Sequence, residues 1–155
     1  MAYTSCPSVM VNAPVDVVWK LLTKPIGWGE FFDVRVAGIY PDGLAAVGQK
    51  IYGESGPSFL HLKVEFQYVE IDPERYRLVL DVRLPFGLSV LEDLNCVAIG
   101  ADFCRVNYRC DFSLPVGWRG VIARLVMRRE LDAGPIDSLS RLKRAAEQLH
   151  GVAPA

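Results

Sequence analysis

The hydrophobic period of this chain changes twice, and the order of those changes restricts the fold more than any single residue does. A short apolar strand, Ser8–Val11, leads into a helical stretch at 14–32. From Val34 to Leu114 apolar residues recur at every second position, and from Val116 to His150 they return to helical spacing. Consecutive strands joined by short turns pair antiparallel, because a parallel pair needs a crossover of a dozen residues or more. A closing amphipathic helix has one apolar face to bury against that sheet. The expected architecture is therefore α+β: a curved antiparallel sheet with two short N-terminal helices and one long C-terminal helix across its open face. Such an arrangement encloses space, and a container of this shape suits an apolar small molecule.

The local signals carry physical reasons. Pro14 fits the first turn of a helix, where its missing N–H is not needed. Val15, Val18, Trp19 and Leu22 then form one apolar stripe, and Pro25 ends that helix before a second short one at 26–32. Strands are expected at 34–40, 49–54, 60–71, 76–84, 88–99 and 103–114. Pro41-Asp42-Gly43, Asp72-Pro73-Glu74, Pro85-Phe86-Gly87 and Gly100-Ala101-Asp102 punctuate them. In the strand at 60–71 the apolar phase runs Leu60, Leu62, Val64, Phe66, Tyr68 and then moves to Val69 and Ile71, which predicts a bulge. Gly134-Pro135 interrupts the closing helical pattern and predicts a kink or two abutting helices.

Composition narrows the function classes. With 155 residues, 51% hydrophobic and 23% charged, the whole chain, 1–155, reads as a single globular domain. A net charge of −1 gives no field that would favour nucleic acid. No signal peptide and no membrane span is visible, so a cytoplasmic location with free thiols is expected for Cys6, Cys96, Cys104 and Cys110. Their spacings match neither a zinc site nor a redox pair, and His61 and His150 lack ligand or nucleophile neighbours. No metal and no cofactor is expected. The arginines of the last segment alternate with acids and read as a solvated helix face.

Asn12-Ala13-Pro14-Val15-Asp16-Val17-Val18-Trp19 after an opening strand, Gly48-Gln49 before a strand, and Pro115-Val116-Gly117-Trp118 leading into a long final helix together resemble the START-like, polyketide cyclase-dehydrase (SRPBCC) superfamily. The resemblance covers nearly the whole chain. It implies the helix-grip fold, in which a seven-stranded sheet grips the C-terminal helix around a cavity. It also implies lipids, polyketides or other apolar molecules as ligands, with catalysis in some members and no universal catalytic signature.

The strand phases nominate the cavity residues. Glu92 shares its phase with Leu88, Val90, Leu94, Cys96 and Ala98, which points a carboxylate at the apolar side of the sheet. There it would hold a raised pKa and serve as an acid or base. A bulge would instead turn Glu92 outward and Asp93 inward, and the sequence leaves both open. Trp28, Phe32, Phe66, Tyr68, Tyr76, Leu78, Leu80, Tyr108, Cys110 and Phe112 are the expected inner wall, with Trp118, Ile122, Leu125 and Val126 contributed by the helix stripe. Two functions follow: a binder or carrier of an apolar small molecule, acting as monomer or homodimer, or a cyclase/dehydratase-like enzyme using Glu92 as acid/base. The near-absence of other ionisable residues in the inner phase favours binding.

Overall fold

A computed structural model describes residues 2–56, 61–126 and 128–151, without the side chains of Val126, Arg129, Glu130 and Asp132. Leu60, expected to open the third long strand, and the side chain of Val126, an expected wall residue, lie outside the described residues.

The period-two region folds as an antiparallel meander. In chain order the strands are β1 (Ala2–Ser5), β2 (Ser8–Val11), β3 (Arg35–Tyr40), β4 (Lys50–Ser55), β5 (Leu62–Asp72), β6 (Arg77–Arg83), β7 (Ser89–Ala98) and β8 (Cys104–Ser113). They lie side by side as β1-β8-β7-β6-β5-β4-β3, with β2 also on β8. β1 and β2 are one edge of the sheet in a single register. Ser5 opposes Cys110 and Ser8 opposes Asn107, and between them the Tyr108 N–H donates to the Pro7 carbonyl at 2.9 Å. Pro7 has no N–H to return, so the edge is nicked there without slipping. The eight strand segments thus behave as a seven-stranded sheet whose first strand starts earlier than the apolar pattern indicates.

The phase change in β5 is a bulge. Tyr68 opposes Leu80 and Glu70 opposes Val79, which leaves Val69 as the extra residue. Val69 is exposed, while Val64, Phe66 and Tyr68 before it are buried.

Helix α1 (Val15–Leu22) and the 3₁₀ turn Pro25–Glu30 close one end of the sheet's inner face. The Leu22 carbonyl, left free where α1 ends, accepts from Trp28 Nε1–H at 3.1 Å and from the Tyr68 hydroxyl at 3.3 Å. The Trp28 ring meets Phe32, Phe66 and Tyr68 edge-on at 5.4, 5.3 and 5.9 Å.

The C-terminal segment forms α2 (Trp118–Val126) and α3 (Arg128–His150). The expected interruption at Gly134-Pro135 is not a helix end: α3 runs through it. Proline disfavours helix in its predecessor by clashing with that residue's Cβ, and Gly134 has none. Burial of Leu131, Leu139, Leu142 and Ala146 against the sheet outweighs the single N–H that Pro135 withholds. At its far end α3 is clamped to the β2–α1 corner. Buried Glu147 accepts from the Asn12 N–H at 2.9 Å and from Lys143 Nζ, which also donates to the Met10 carbonyl at 2.9 Å. Burial alone would raise the Glu147 carboxyl, but Lys143 and the Asn12 N–H hold it below the usual range.

Candidate functional site

A carboxylate on the inner face of an apolar sheet is the feature around which the site forms. The β7 register is unbroken against both neighbours, with Glu92 opposite Leu80 on β6 and Cys110 on β8. No bulge intervenes, so Val90, Glu92, Leu94 and Cys96 all face inward and Asp93 faces out. On the outer face Arg77 holds Asp93 at 2.9 and 3.1 Å and Glu70 at 2.9 Å, which anchors the strand's phase.

Glu92 lines a cavity of about 110 Å³ between the sheet and α3. For scale, an apolar cavity of about 150 Å³ takes a benzene ring. Most of the wall is apolar. Phe66, Val82, Val90 and Phe112 come from the sheet, Phe32 from the segment after the 3₁₀ turn, and Leu131 and Pro135 from α3. Asp33, Val34 and Ser55 line both this cavity and a shallow cleft with Arg35, Glu54 and His61, which marks a mouth at the open ends of β3 and β4. Arg35 and Glu54 pair there at 2.9 Å.

Part of Glu92 opens onto the cavity, but its Oε2 is buried and has no hydrogen-bond partner among the described residues. Burial pushes its pKa up to about 7, against a smaller opposing effect of the Tyr108 hydroxyl donating to it. Tyr108 lies two residues from Cys110 on β8, opposite Leu94, in the same inward phase. Burial first, and the neighbouring Glu92 charge second, hold the phenol well above its usual range, so it remains a donor. Burial and Glu92 push the Cys110 thiol up in the same way. Near neutral pH the site therefore has one carboxyl balanced between its two protonation states, a fixed phenol donor beside it, and an unreactive thiol across the strand. Such a group can give or take a proton at a ligand oxygen or at a carbon next to a carbonyl.

The nominated residues divide by position. Glu92, Phe32, Phe66, Tyr108, Cys110 and Phe112 share the cavity. Trp28, in the 3₁₀ turn, and Tyr68, Leu78 and Leu80, in the inward strand phase, are fully buried but do not line the cavity. Tyr76 also lies elsewhere. It packs edge-on against Trp19 at 5.8 Å, and its hydroxyl donates to Asp16 at 2.8 Å. Trp118, Ile122 and Leu125 are corrected outright. They are 70%, 41% and 75% exposed, because α2 turns Ala123 inward instead.

Several wall residues went unnominated. Val64, Val82 and Val90 were legible in the same strand phases as their nominated neighbours. Leu131, Gly134, Pro135 and Ser138 follow helical spacing on the inner stripe of α3. Asp33 and Ser55, at strand ends, carry no such signal.

The sequence profile of the family described as Polyketide cyclase / dehydrase and lipid transport matches residues 7–147. The chain belongs to that family. Membership in the polyketide cyclase / dehydrase and lipid transport family sets it among proteins that act on or carry apolar molecules. No curated protein is a match for the chain. Among solved structures it is similar to the Zhui aromatase/cyclase from Streptomyces sp. R1128, at 15% identity and a TM-score of 0.77, covering 99% of this chain and 100% of that one. It is also similar to norcoclaurine synthase from Thalictrum flavum in complex with dopamine and hydroxybenzaldehyde, at 14% identity and a TM-score of 0.68, covering 100% and 90%. DynU16, a putative protein of the dynemicin biosynthetic locus, aligns at 22% identity and a TM-score of 0.62 over 96% of this chain and 48% of its own. At these identities the likeness is one of fold, and its helix-grip architecture is the one described above.

Proposed function

We propose that this protein binds a small, largely apolar carbonyl compound and moves a proton on it through Glu92, as an aldol-type cyclisation or dehydration requires. The observation that carries this reading is the buried Oε2 of Glu92, without a partner among the described residues, in a mostly apolar cavity. A buried polar atom without a partner is destabilising, and a ligand oxygen or an acidic C–H is what would relieve it. Tyr108 supplies the complementary part. Its single O–H, which stays protonated and donates to Glu92 in the free protein, would turn to the ligand carbonyl and stabilise the negative charge that builds on it as Glu92 removes the neighbouring proton. A cavity of about 110 Å³ is smaller than one that takes a whole benzene ring, so it holds the reacting end of the ligand, with the remainder leaving by the mouth at Asp33 and Ser55.

The test uses acetophenone, a one-ring ketone with exchangeable methyl protons. Proton NMR in deuterated buffer at pH 8 would show protein-dependent exchange of the methyl signal. Glu92→Gln would slow that exchange by about 100-fold or more. Exchange that Glu92→Gln leaves unchanged rules the proton-transfer role out. The carrier reading is favoured by how few polar groups face the cavity. It predicts saturable acetophenone binding with no exchange above buffer, and native mass spectrometry of the purified protein would then show a retained apolar ligand.

A further inference from the structure

Helix α2 is built inside out. A helix on the surface of a protein normally turns its apolar stripe toward the core. In α2 the side chains of Trp118, Val121, Ile122 and Leu125 fall within an arc of about 100°, and they are 70%, 69%, 41% and 75% exposed. The inward side is nearly bare. Ala123 is buried, and a Cβ on Gly120 would stand 2.0 Å from the Pro115 carbonyl oxygen, so nothing larger fits there. Val116, two residues before the helix, is 93% exposed as well.

The segment that carries the stripe has charges of one sign. Residues 114–129 contain four arginines and no acidic residue. At helical spacing Arg119 and Arg124 fall on opposite flanks of the stripe. Arg119 lies over the Trp118 ring at 5.7 Å, and Arg124 and Arg128 also engage other groups of the protein. An aromatic and aliphatic stripe between flanking arginines is the pattern of a helix that lies in a membrane surface. Its apolar side chains enter the headgroup boundary, and its guanidinium groups reach lipid phosphates. No described helix is long and apolar enough to cross a membrane, so the contact would be peripheral.

We infer that α2 docks this protein on an anionic lipid surface through Trp118, Val121, Ile122 and Leu125, with Arg119 on the headgroups. A second copy of the chain is a poorer occupant. A two-fold contact sets the patch against itself and brings arginine against arginine with no acid from this segment to offset them. The location suits a ligand-handling protein. Leu131 of α3 lines the cavity on one side and, on the other, a cleft of about 70 Å³ shared with Arg124 of α2. The docked helix therefore lies one side chain away from the cavity wall. The inference is independent of the proton-transfer role of Glu92 and holds equally for a carrier.

The experiment is co-sedimentation with vesicles of phosphatidylcholine alone and of phosphatidylcholine with 30% phosphatidylglycerol, with tryptophan emission read in parallel. Of the three tryptophans Trp28 is buried and Trp118 is 70% exposed, so a blue shift on docking should vanish in Trp118→Phe. The expected result is pelleting with the anionic vesicles only, weakened by 0.5 M salt. Arg119→Gln should weaken it about fivefold and Leu125→Ser about tenfold or more, with both variants keeping the wild-type circular dichroism spectrum. The inference is overturned by no pelleting with either vesicle, or by equal pelleting with both that neither variant changes. It is also overturned if sedimentation equilibrium shows a dimer that Leu125→Ser dissolves while vesicles do not bind, which would give the patch to a second copy.

Discussion

Replacing Glu92 by glutamine should change how stability depends on pH, and the size of the change follows from where the carboxyl sits. An ordinary glutamate has the same pKa folded and unfolded and leaves no trace in such an experiment. Glu92 rises from an ordinary value of 4.5 to about 7 in the folded protein, chiefly because it is buried. The sign follows from proton counting. Between pH 4.5 and 7 the folded state keeps the Glu92 proton while the unfolded chain has lost it, so stability falls as pH rises. Above about pH 7 both states are ionised and the full cost of holding a buried carboxylate remains. At about 1.4 kcal/mol per pH unit, that cost is on the order of 3 kcal/mol. Glutamine has nearly the same shape and never ionises. The stability of Glu92→Gln minus that of the wild type should thus climb by about 3 kcal/mol between pH 4.5 and 8 and then level off. Urea unfolding of both proteins at half-unit pH intervals reads this directly, because every other ionisable group cancels in the difference. A difference flat across that range would mean that the carboxyl is solvated or paired in the folded state. The cavity described around Glu92, and the acid–base role built on it, would then be wrong.

Three further outcomes are expected. Glu147→Ala should lower stability at pH 7 by about 2 kcal/mol, since it removes a buried acceptor from Asn12 and Lys143. Because the Glu147 carboxyl is held below its usual range, that loss should shrink as acid is added below about pH 4, and a loss that persists there would assign it to packing. Tyr68→Phe should cost about 1 kcal/mol in urea unfolding and leave acetophenone binding unchanged, because the Tyr68 hydroxyl serves the Leu22 carbonyl and does not line the cavity. Pro135→Ala should stabilise the protein by up to about 3 kcal/mol and introduce a slowly exchanging amide at position 135. A rapidly exchanging amide there would show that α3 does not close its hydrogen-bond ladder through Pro135.

The strand phases carried most of the fold, because burial on one face of a sheet forces a period of two and each turn was marked by proline or glycine. They could not say which end of the inner face stays open. Tyr68, Leu78 and Leu80 share their phase with Phe66, yet α1 and Trp28 occupy the space above them, and that is decided by a helix far away in sequence. The orientation of Glu92 was undecided for a related reason. Leu91 and Val97 are apolar residues on the outer face, 45% and 41% exposed, and they blur the alternation of β7. What anchors the phase is the contact between Arg77 and Asp93 on neighbouring strands, which no local pattern records. The stripe on α2 was read correctly as a stripe and wrongly as a wall, since periodicity gives an apolar direction and not what lies in that direction. The helix through Gly134-Pro135 shows the same limit. The proline signals a kink or a helix end, and of the two the helix end is absent: α3 runs through it with Leu131, Leu139 and Leu142 buried.

The two sides of the cavity differ in how freely they can change. Glu92 is carried by a strand hydrogen-bonded on both edges, so its height and direction are set by the register of three strands at once. The opposite wall is one face of a single helix, at a proline where the backbone ladder is one bond short. Substitutions at Leu131, Pro135 or Ser138 can resize the chamber without touching the strands beneath the carboxyl. On the proposed reading, ligand size and ligand chemistry would therefore be separable variables: the first would belong to α3 and the second to β7 and β8, and variants that accept larger ligands should keep whatever proton transfer the parent performs.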